Sequence, residues 1–392
     1  MTVWDALIGQ PVATQTLQRA ALEGRTIVEG SVESQRALSH AWLITGPPGS
    51  GRSTAATALA AALQCTGEPV GCGRCTGCRT TLAGSNADVR VYATDLVQFS
   101  IKEVRTWVEA SYGAPSNGRW RVTIIEDADR MTERTSNVLL KSLEEPPERG
   151  IWLLCAPTPT EVLPTIRSRC RALALRTPPV DAVAEYLARM DGVTLDEAIR
   201  AATIAQSHVG FARGLLRDPG LRDNLRAIFS LPLRARSVGE AVVAADRMHE
   251  RLKEVAEKRT EDINTRERAK LYQTLGIDEG KRIPPALRAQ IRVMENDQKR
   301  RGRRALVDNI DRALIDLLGF YRDVLTVQLA AGTGIVNVDM EEQIRLTSSS
   351  STPEQTMVRV EAINEARRRL HTNAAPLLIL EAMIVTLVEP DG

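Results

Sequence analysis

Aromatic residues are scarce in this sequence of 392 residues, at 4% of the total, so its cores must be built mainly from Ala, Leu, Val and Ile. It has no apolar run near the ~20 residues that cross a bilayer, and its first residues, MTVWDALIGQ, show no basic stretch followed by an apolar one. It also lacks an excess of either charge, since 51 Lys and Arg face 49 Asp and Glu. These absences argue against a membrane-spanning or globally basic nucleic-acid-binding protein and predict a cytoplasmic one.

The composition is otherwise that of an ordinary globular protein, with 43% apolar and 26% charged residues. The length predicts roughly two to three domains. Within residues 1–176, helix-forming segments alternate with three short apolar runs, HAWLITG, WRVTIIEDA and GIWLLCAP. This alternation predicts an α/β domain with a parallel sheet.

Changes in this pattern predict two further domains, a small helical one at 177–238 and a C-terminal helical one at 239–392. Within the latter, 17 Lys and Arg face 10 Asp and Glu over residues 247–304, and large apolar residues are few there. The simplest prediction is a solvated, partly helical insertion, and a DNA-facing surface is the alternative. Helices are predicted to resume after it, and the segment LTSSSSTPEQ is predicted to be a loop. The apolar residues predicted to share one helix face are Leu306, Ile310, Leu314, Leu317, Tyr321 and Leu325.

The segment GPPGSGRS (Gly46–Ser53) follows a predicted strand and opens a predicted helix, which is the context of a phosphate-binding P-loop. Its glycines let backbone N–H groups turn towards phosphates, and the helix N-terminus adds partial positive charge. Ser53 occupies the position whose hydroxyl binds Mg²⁺. The candidate nucleotide-binding residues of this segment are Gly46, Gly49, Gly51, Arg52, Ser53 and Thr54.

Arg52 departs from the motif, because a P-loop carries Lys at this position and a planar guanidinium does not replace a compact ammonium conservatively. Two explanations are open. Only seven of the 51 basic residues are Lys, so codon bias accounts for an Arg at a tolerant position. Alternatively the site no longer hydrolyses ATP, and we favour this loss of hydrolysis, which is compatible with weak nucleotide binding.

Four cysteines, Cys65, Cys72, Cys75 and Cys78, follow the pattern C-x6-C-x2-C-x2-C in a polar, glycine-rich segment. Four thiolates at such short spacing are typical of a closed, tetrahedral structural Zn²⁺ site. Ordinary reduced cysteines are the alternative, but free cysteines usually lie in apolar surroundings. Cys155 lies in a predicted strand and is expected in the core.

Taken together, WDALIGQ, HAWLITGPPGSGRS, the four-Cys insertion, EDADRM, LLKSLEEPP and IRSRC resemble the bacterial clamp-loader subunits of the AAA+ class, and among them the delta-prime type of DNA polymerase III. The resemblance covers residues 1–176 with specific motifs and continues more weakly to the C-terminus. It implies that the two helical domains are a lid and an oligomerising collar. It also implies that the chain works in the replisome at the nucleoid, with gamma/tau and delta subunits, the sliding clamp and primed DNA.

The resemblance also assigns roles to single residues. Arg169 matches the arginine of the family's Ser-Arg-Cys motif, which reaches in trans into a neighbouring ATP site; Arg167 is the local alternative, and a surface ion pair is the ordinary explanation. Thr158 falls near the first sensor position, within one residue of register. Arg213 matches the second sensor arginine of the lid, with a solvated helix residue as the alternative.

Glu126 and Asp127 end a predicted strand at the place of the second acidic motif, but hydrolysing relatives have Asp before Glu. Exchanging the two changes the reach of each carboxylate by one methylene, and a misplacement of about 1 Å can cost about 10²-fold in rate. In LLKSLEEPP, the leucines are expected to bury a helix face, and Lys141 is a weaker candidate for a DNA phosphate contact.

The sequence therefore predicts a stator that does not hydrolyse ATP itself, holds its neighbours through the collar and offers Arg169 to an adjacent ATPase. The absence of a long polymerase-binding tail before the last residue, Gly392, also favours this role over a motor subunit. The alternatives are an active ATPase of the gamma/tau type, another AAA+ DNA machine such as a branch-migration motor, and a metal-dependent nucleic-acid-binding module.

Overall fold

The computed structural model describes eight stretches of the chain, which divide into two units, Met1–Pro219 and Gly220–Gly392. The described stretches are residues 2–30, 37–94, 98–116, 119–217, 219–275, 288–332, 334–370 and 374–389. The division falls earlier in the chain than the boundary predicted at 238/239, because Ile228 and Phe229 belong to the apolar core of the second unit. The functional assignment of the domains stays a prediction.

The first unit contains a five-stranded sheet in the order β2-β3-β4-β1-β5, and every described strand pair is parallel. The prediction of a parallel α/β sheet is confirmed, with the three predicted apolar runs forming β1, β3 and β4. The strands are β1 (Ala41–Thr45), β2 (Val89–Tyr92), β3 (Arg121–Ile125), β4 (Gly150–Ala156) and β5 (Arg171–Ala174).

Helices cover both faces of this sheet, so β1 and β4 are buried along their whole length. Successive residues of a strand point to opposite faces, and accordingly Trp42 and Ile44 join one apolar cluster while Leu43 joins the other. The helices of this part are α1 (Pro11–Val28), α2 (Arg52–Leu63), α3 (Thr76–Leu82), α4 (Ile101–Ser111), α5 (Glu133–Glu144) and α6 (Pro164–Arg167).

Three helices follow the sheet in the first unit and pack around alanines. They are α7 (Val180–Asp191), α8 (Leu195–Ile204) and α9 (Val209–Arg217). Ala184, Ala198, Ala202 and Ala212 are fully buried in their own apolar cluster. Small side chains let the helix axes approach closely, which is how a chain with so few aromatic residues builds a core here.

The second unit is entirely helical in its described part. Its helices are α10 (Pro219–Arg234), α11 (Val238–Leu275), α12 (Arg288–Gln328), α13 (Glu341–Ser350), α14 (Pro353–Leu370) and α15 (Pro376–Val388). The predicted apolar face of α12 lies in the core of this unit, with Ile310, Leu314, Leu317 and Tyr321 buried.

Two segments of this unit for which the sequence made predictions can be compared with the structure. LTSSSSTPEQ is not a loop throughout, because α13 continues to Ser350 and α14 begins at Pro353. The serine hydroxyls bond carbonyls one turn back, as Ser349 does to Leu346 at 3.0 Å, so they do not interrupt the helix. The charged segment 247–304 is helical in its described part, whereas 276–287 lie outside the described residues. None of the described helices has the length and apolar character needed to cross a membrane.

Candidate functional site

The P-loop lies between β1 and α2, as the sequence predicts for this segment. Gly49 and Gly51 have φ angles of 82° and 91°, a conformation that side-chain-bearing residues adopt at a cost. The N–H of Gly46 donates to the carbonyl of Pro157 at 3.1 Å, which ties the loop to the end of β4. Parallel strands place their carboxyl ends at one edge of the sheet, so the segments after β1, β3 and β4 meet there.

Arg52 is the first residue of α2, and its Nη1 is buried with no hydrogen-bond partner among the described residues. The Oγ of Ser50 is also buried with no hydrogen-bond partner among the described residues. Leaving a buried donor unsatisfied costs about 1–3 kcal/mol. Two unpaired donors beside a helix N-terminus therefore fit an anionic group such as a phosphate.

Glu126 and Asp127 follow β3 directly, at the same edge of the sheet as the P-loop. Burial raises the pKa of the Cys155 thiol to about 12, and the carboxylates of Glu126 and Asp127 act in the same direction, whereas Arg52 opposes them. Cys155 itself is fully buried in the core of the sheet, as predicted. The two carboxylates and Arg52 thus act electrostatically on the same buried thiol.

His208, immediately before α9, packs directly on the P-loop, and no motif in the sequence distinguishes it. A methyl group at Gly49 would lie 2.8 Å from Cδ2 and 3.2 Å from Cα of His208. The Nδ1 of His208 accepts from the N–H of Phe211 at 3.2 Å, which fixes the ring. The segment that leads into α9 therefore rests against the phosphate loop.

Gln10 is a second contact that sequence reasoning missed, although it belongs to the WDALIGQ motif. Its Nε2 donates to the carbonyls of Ser50 at 3.4 Å and Arg176 at 2.5 Å, and its Oε1 accepts from the N–H of Arg176 at 3.2 Å. This side chain joins the P-loop to the segment that leaves β5.

The two candidate sensor residues differ in their surroundings. Thr158 is exposed at the end of β4, where its Oγ1 lies 2.9 Å from Oγ1 of Thr160. Arg213 on α9 is paired with Asp191 on α7, through Nε at 2.9 Å and Nη2 at 2.7 Å. The hydrogen bonds to Asp191 raise the pKa of Arg213. In this structure the Arg213 guanidinium therefore pairs with α7.

Arg169 is 35% exposed and is held by its own chain. Its Nε donates to Oε1 of Glu144 at 2.7 Å, Nη2 pairs with the same oxygen, and Nη1 donates to the carbonyl of Thr165 at 2.8 Å. Glu144 is the last residue of α5 and belongs to the SLEEPP motif. Arg167, the alternative candidate for the predicted trans role, donates to the carbonyl of Pro159 at 3.3 Å.

The leucines of LLKSLEEPP pack as expected. Leu139 and Leu143 are fully buried against the sheet, with Leu140 partly buried beside them. Lys141 is exposed. The buried leucines fix α5 against the sheet. They thereby fix the position of Glu144 at the end of α5, and Glu144 in turn holds Arg169.

The four cysteines lie together at the end of α2 and the start of α3. All four sulfurs lie within 4.8 Å of one another, with Cys65 Sγ 3.7 Å from Cys72 Sγ and 3.8 Å from Cys75 Sγ. Zn–S bonds of about 2.3 Å in a tetrahedron place sulfurs about 3.8 Å apart. The donor set and its spacing therefore fit a Zn²⁺ ion.

Neighbouring groups of the loop favour the thiolate form of Cys72 and Cys75. Burial raises the pKa of the Cys75 thiol, but N–H groups of Cys78 and Thr66 and the neighbouring sulfurs outweigh it and bring that pKa to about 6. The pKa of Cys72 is also lowered, by N–H groups of Arg74 and Cys75 against the effect of burial. Burial raises the pKa of Cys78. A bound cation would be the natural counter-charge for these sulfurs.

Arg25 on α1 fixes this loop from the side. Its Nη2 donates to the carbonyl of Gly67 at 2.6 Å and to that of Cys65 at 3.2 Å, and lies 3.7 Å from Cys65 Sγ. Its Nη1 pairs with Glu68. No motif distinguishes Arg25 in the sequence.

Comparison with known proteins finds similarity to subunits of bacterial DNA polymerase III. A family model described as "DNA polymerase III, delta subunit" matches residues 27–179. The DNA polymerase III subunit gamma/tau of Mycobacterium tuberculosis is 32% identical over 199 residues, which are 49% of this chain and 32% of that protein. The chain thus spans about a third of the length of the gamma/tau relatives that it matches.

Two further similarities extend over nearly the whole chain. The DNA polymerase III subunit delta′ of Bacillus subtilis is 25% identical over 366 residues, which are 93% of this chain and 94% of that protein. A solved DNA polymerase III gamma subunit-related protein from Thermotoga maritima covers 96% of this chain and 98% of its own, at 17% identity and a TM-score of 0.41. The family model matches less than half of this chain, and the match that extends over most of it, to the delta′ subunit, is at 25% identity. The comparisons therefore show that the chain is similar to bacterial DNA polymerase III subunits of the delta, delta′ and gamma/tau types.

Proposed function

We propose that the chain is a delta-prime-type stator of the DNA polymerase III clamp loader, the assembly that places the sliding clamp on primed DNA. The observation that carries this proposal is the match to the Bacillus subtilis delta′ subunit along 93% of this chain and 94% of that protein. The gamma/tau relatives match about half of the chain. The C-terminal helical unit would be the collar that holds neighbouring subunits.

The nucleotide site supports a subunit without hydrolysis of its own. Arg52 replaces the P-loop lysine, Glu126 precedes Asp127 in the acidic motif, and His208 packs on Gly49. The unpaired Arg52 Nη1 and the helix N-terminus would still favour a phosphate, so weak binding of ATP with Mg²⁺ is compatible with the site. The reversed carboxylates would place neither oxygen where hydrolysis needs it.

Arg169 would serve a neighbouring subunit rather than its own P-loop. A guanidinium brought across an interface stabilises the charge that develops on a transferring phosphoryl group, with typical effects of about 10³–10⁵-fold in other systems. Its 35% exposure leaves it accessible, and the Glu144 and Thr165 contacts fix its direction. Because the contribution depends on subunit placement, it would couple hydrolysis to assembly.

The cysteine cluster would hold a structural zinc ion through Cys65, Cys72, Cys75 and Cys78. When bound, zinc would cross-link the end of α2 to the start of α3 and take no part in chemistry, because four protein ligands leave no open position. The measurement is zinc content by atomic absorption, with one equivalent expected and a marked decrease in Cys75→Ser.

Reconstitution tests the stator proposal. Gamma/tau and delta subunits, clamp and primed DNA are combined with or without this chain, and loaded clamps are counted by fluorescence. Loading that depends on this chain, together with absence of ATP turnover by the chain alone, is expected. Loading that is complete without it would refute the proposal. We place this activity in the cytoplasm, where replication takes place.

An active ATPase of the gamma/tau type is the second candidate, and the 32% identity to gamma/tau proteins over 199 residues favours it. Ser53 is positioned on the first turn of α2, as a Mg²⁺-binding hydroxyl requires. ATP turnover by the isolated chain that is abolished in Ser53→Ala would establish this candidate and displace the stator.

A further inference from the structure

The charged segment of the second unit forms a two-helix arm. We call the contact between its two helices the seam. We define the arm as residues 256–275 of α11 and 288–305 of α12. Twenty helical residues at 1.5 Å each give it a length of roughly 30 Å. The apolar cluster of the unit includes Leu252 and Val255 of α11 and resumes at Leu306 of α12, so the arm begins where that core ends.

The buried residues of the arm do not belong to the apolar cluster of the second unit. They are Ala256, Thr260, Ile291, Met294, Gln298 and Ala305. Polar contacts complete the seam, since Gln298 Nε2 donates to the carbonyl of Asn264 at 3.1 Å and Arg301 Nη1 donates to Glu267 at 2.9 Å. The outer faces of the arm are thus not needed to build the core.

Charge is distributed unequally between the two helices of the arm. The α12 part has seven basic and two acidic residues, whereas the α11 part has five basic and four acidic ones. Arg292, Lys299 and Arg303 are exposed, and their spacing of seven and four residues places them on one face of α12. Glu295 is also exposed and lies at the edge of this face, one turn from Arg292 and from Lys299, so three cations stand against one carboxylate there. This excess of positive charge indicates an anionic partner.

The chemistry of this face indicates a phosphate backbone rather than a protein. Protein interfaces depend on a few large apolar or aromatic anchors. Among the described residues of the arm, Ile263 is the one strongly exposed large apolar side chain, and it lies on α11. The cationic face also offers no aromatic ring on which an unpaired base could stack. Duplex DNA, with one charge per about 1.7 Å of helix axis, is the partner that this face fits.

We propose that the α12 face of the arm binds the backbone of duplex DNA without sequence preference, through Arg292, Lys299 and Arg303. This contact does not depend on the clamp-loading proposal, because it belongs to the isolated chain. In a loader, it would add a DNA-binding surface outside the P-loop domain.

Binding of a fluorescein-labelled duplex to the full chain, followed by anisotropy over a salt series, tests this proposal. Replacing Arg292, Lys299 and Arg303 together by Gln is expected to weaken binding at least about tenfold at low salt. The slope of log affinity against log salt should decrease by about 0.9 for each cation that no longer pairs with a phosphate, or about 2.7 in all. The single variant Lys299→Gln should decrease it by about one unit.

A control variant with the same change in net charge carries Gln at three exposed positions of the first unit, Arg19, Arg105 and Arg200. It should bind as the wild type does, and circular dichroism checks that every variant is folded. Equal affinity of wild type and the triple arm variant would overturn the proposal, as would equal weakening in the arm and control variants. Tighter binding to single-stranded DNA or to polyglutamate than to duplex would also overturn it.

Discussion

The contact between His208 and the P-loop predicts that alanine at Gly49 destabilises the protein more than alanine at Gly51, which serves as the control. Gly49 and Gly51 both have positive φ, so alanine at either position costs about 1–2 kcal/mol of backbone strain. At Gly51 the nearest atom to an added methyl is Thr54 Cβ at 3.9 Å, an ordinary contact. At Gly49 the methyl would lie 2.8 Å from Cδ2 of His208, and overpacking of this kind costs a further 1–3 kcal/mol, roughly.

Gly49→Ala should therefore destabilise the first unit by about 3 kcal/mol, and Gly51→Ala by about 1.5 kcal/mol. For a unit of this size, 1 kcal/mol corresponds to about 2–4 °C, so the two melting temperatures should fall by about 6–12 °C and 3–6 °C. All five tryptophans lie between residues 4 and 152, so tryptophan fluorescence reports the unfolding of this unit alone.

A double-mutant cycle separates the contact from the strain. His208→Ala removes the ring atoms that the methyl would meet and should recover about 1 kcal/mol of the Gly49→Ala destabilisation, with no recovery for Gly51→Ala. Equal melting temperatures for Gly49→Ala and Gly51→Ala would refute the reasoning, because His208 would then not rest on the loop.

Three further predictions concern single side chains. Burial raises the pKa of Asp316 to about 6, so the stability it contributes as a neutral acid is present below its unfolded pKa near 4 and is lost as pH rises through about 6. As the pH rises across that interval, Asp316→Asn should therefore become more stable than wild type. The upper limit of the difference is about 3 kcal/mol, and the 28% exposure of the Asp316 side chain makes the difference smaller than this limit. Glu144→Gln should lower ATP turnover of the reconstituted loader about tenfold by freeing Arg169, whereas Glu145→Gln should not. Arg52→Lys should not produce turnover in the isolated chain, because the reversed acidic pair after β3 remains.

Each of these has a direct check. Urea unfolding between pH 4 and 7 gives the free energy of unfolding of wild type and of Asp316→Asn at each pH. The two free energies should diverge as the pH rises, and a constant difference between them would contradict the raised pKa of Asp316. Glu144→Gln should leave the free energy of unfolding within about 1 kcal/mol of wild type, since its ion pair is exposed. Equal turnover of the Glu144 and Glu145 variants would mean that Glu144 does not position Arg169. Turnover by Arg52→Lys would show that position 52 alone blocks hydrolysis.

The sequence predicted the central strands but not the edges of the sheet. β1, β3 and β4 are buried on both faces and read as continuous apolar runs. β2 and β5 are edge strands with several exposed residues, so neither shows such a run. The serine-rich end of α13 was mistaken for a loop because serine favours turns, although its hydroxyls bond back to the helix instead.

At the site, local motifs were recognisable and long-range contacts were not. Gly46–Ser53 and the cysteine spacing carry their chemistry within a few residues. The pairs Arg169–Glu144, Arg213–Asp191 and His208–Gly49 join residues far apart in the chain, and no spacing rule predicts such pairs. The sequence motifs and the resemblance pointed to one residue of each pair. Only the fold shows which residue contacts it.

The most direct test of the stator proposal is ATP turnover by the reconstituted loader, with clamp and primed DNA, comparing wild type with Arg169→Ala. The proposal predicts a fall of at least about tenfold while size-exclusion chromatography shows the assembly intact. Arg167→Ala serves as the matched control and should leave turnover unchanged. Unchanged turnover in Arg169→Ala, with an intact assembly, would contradict the assignment of Arg169 as a finger acting in a neighbouring subunit.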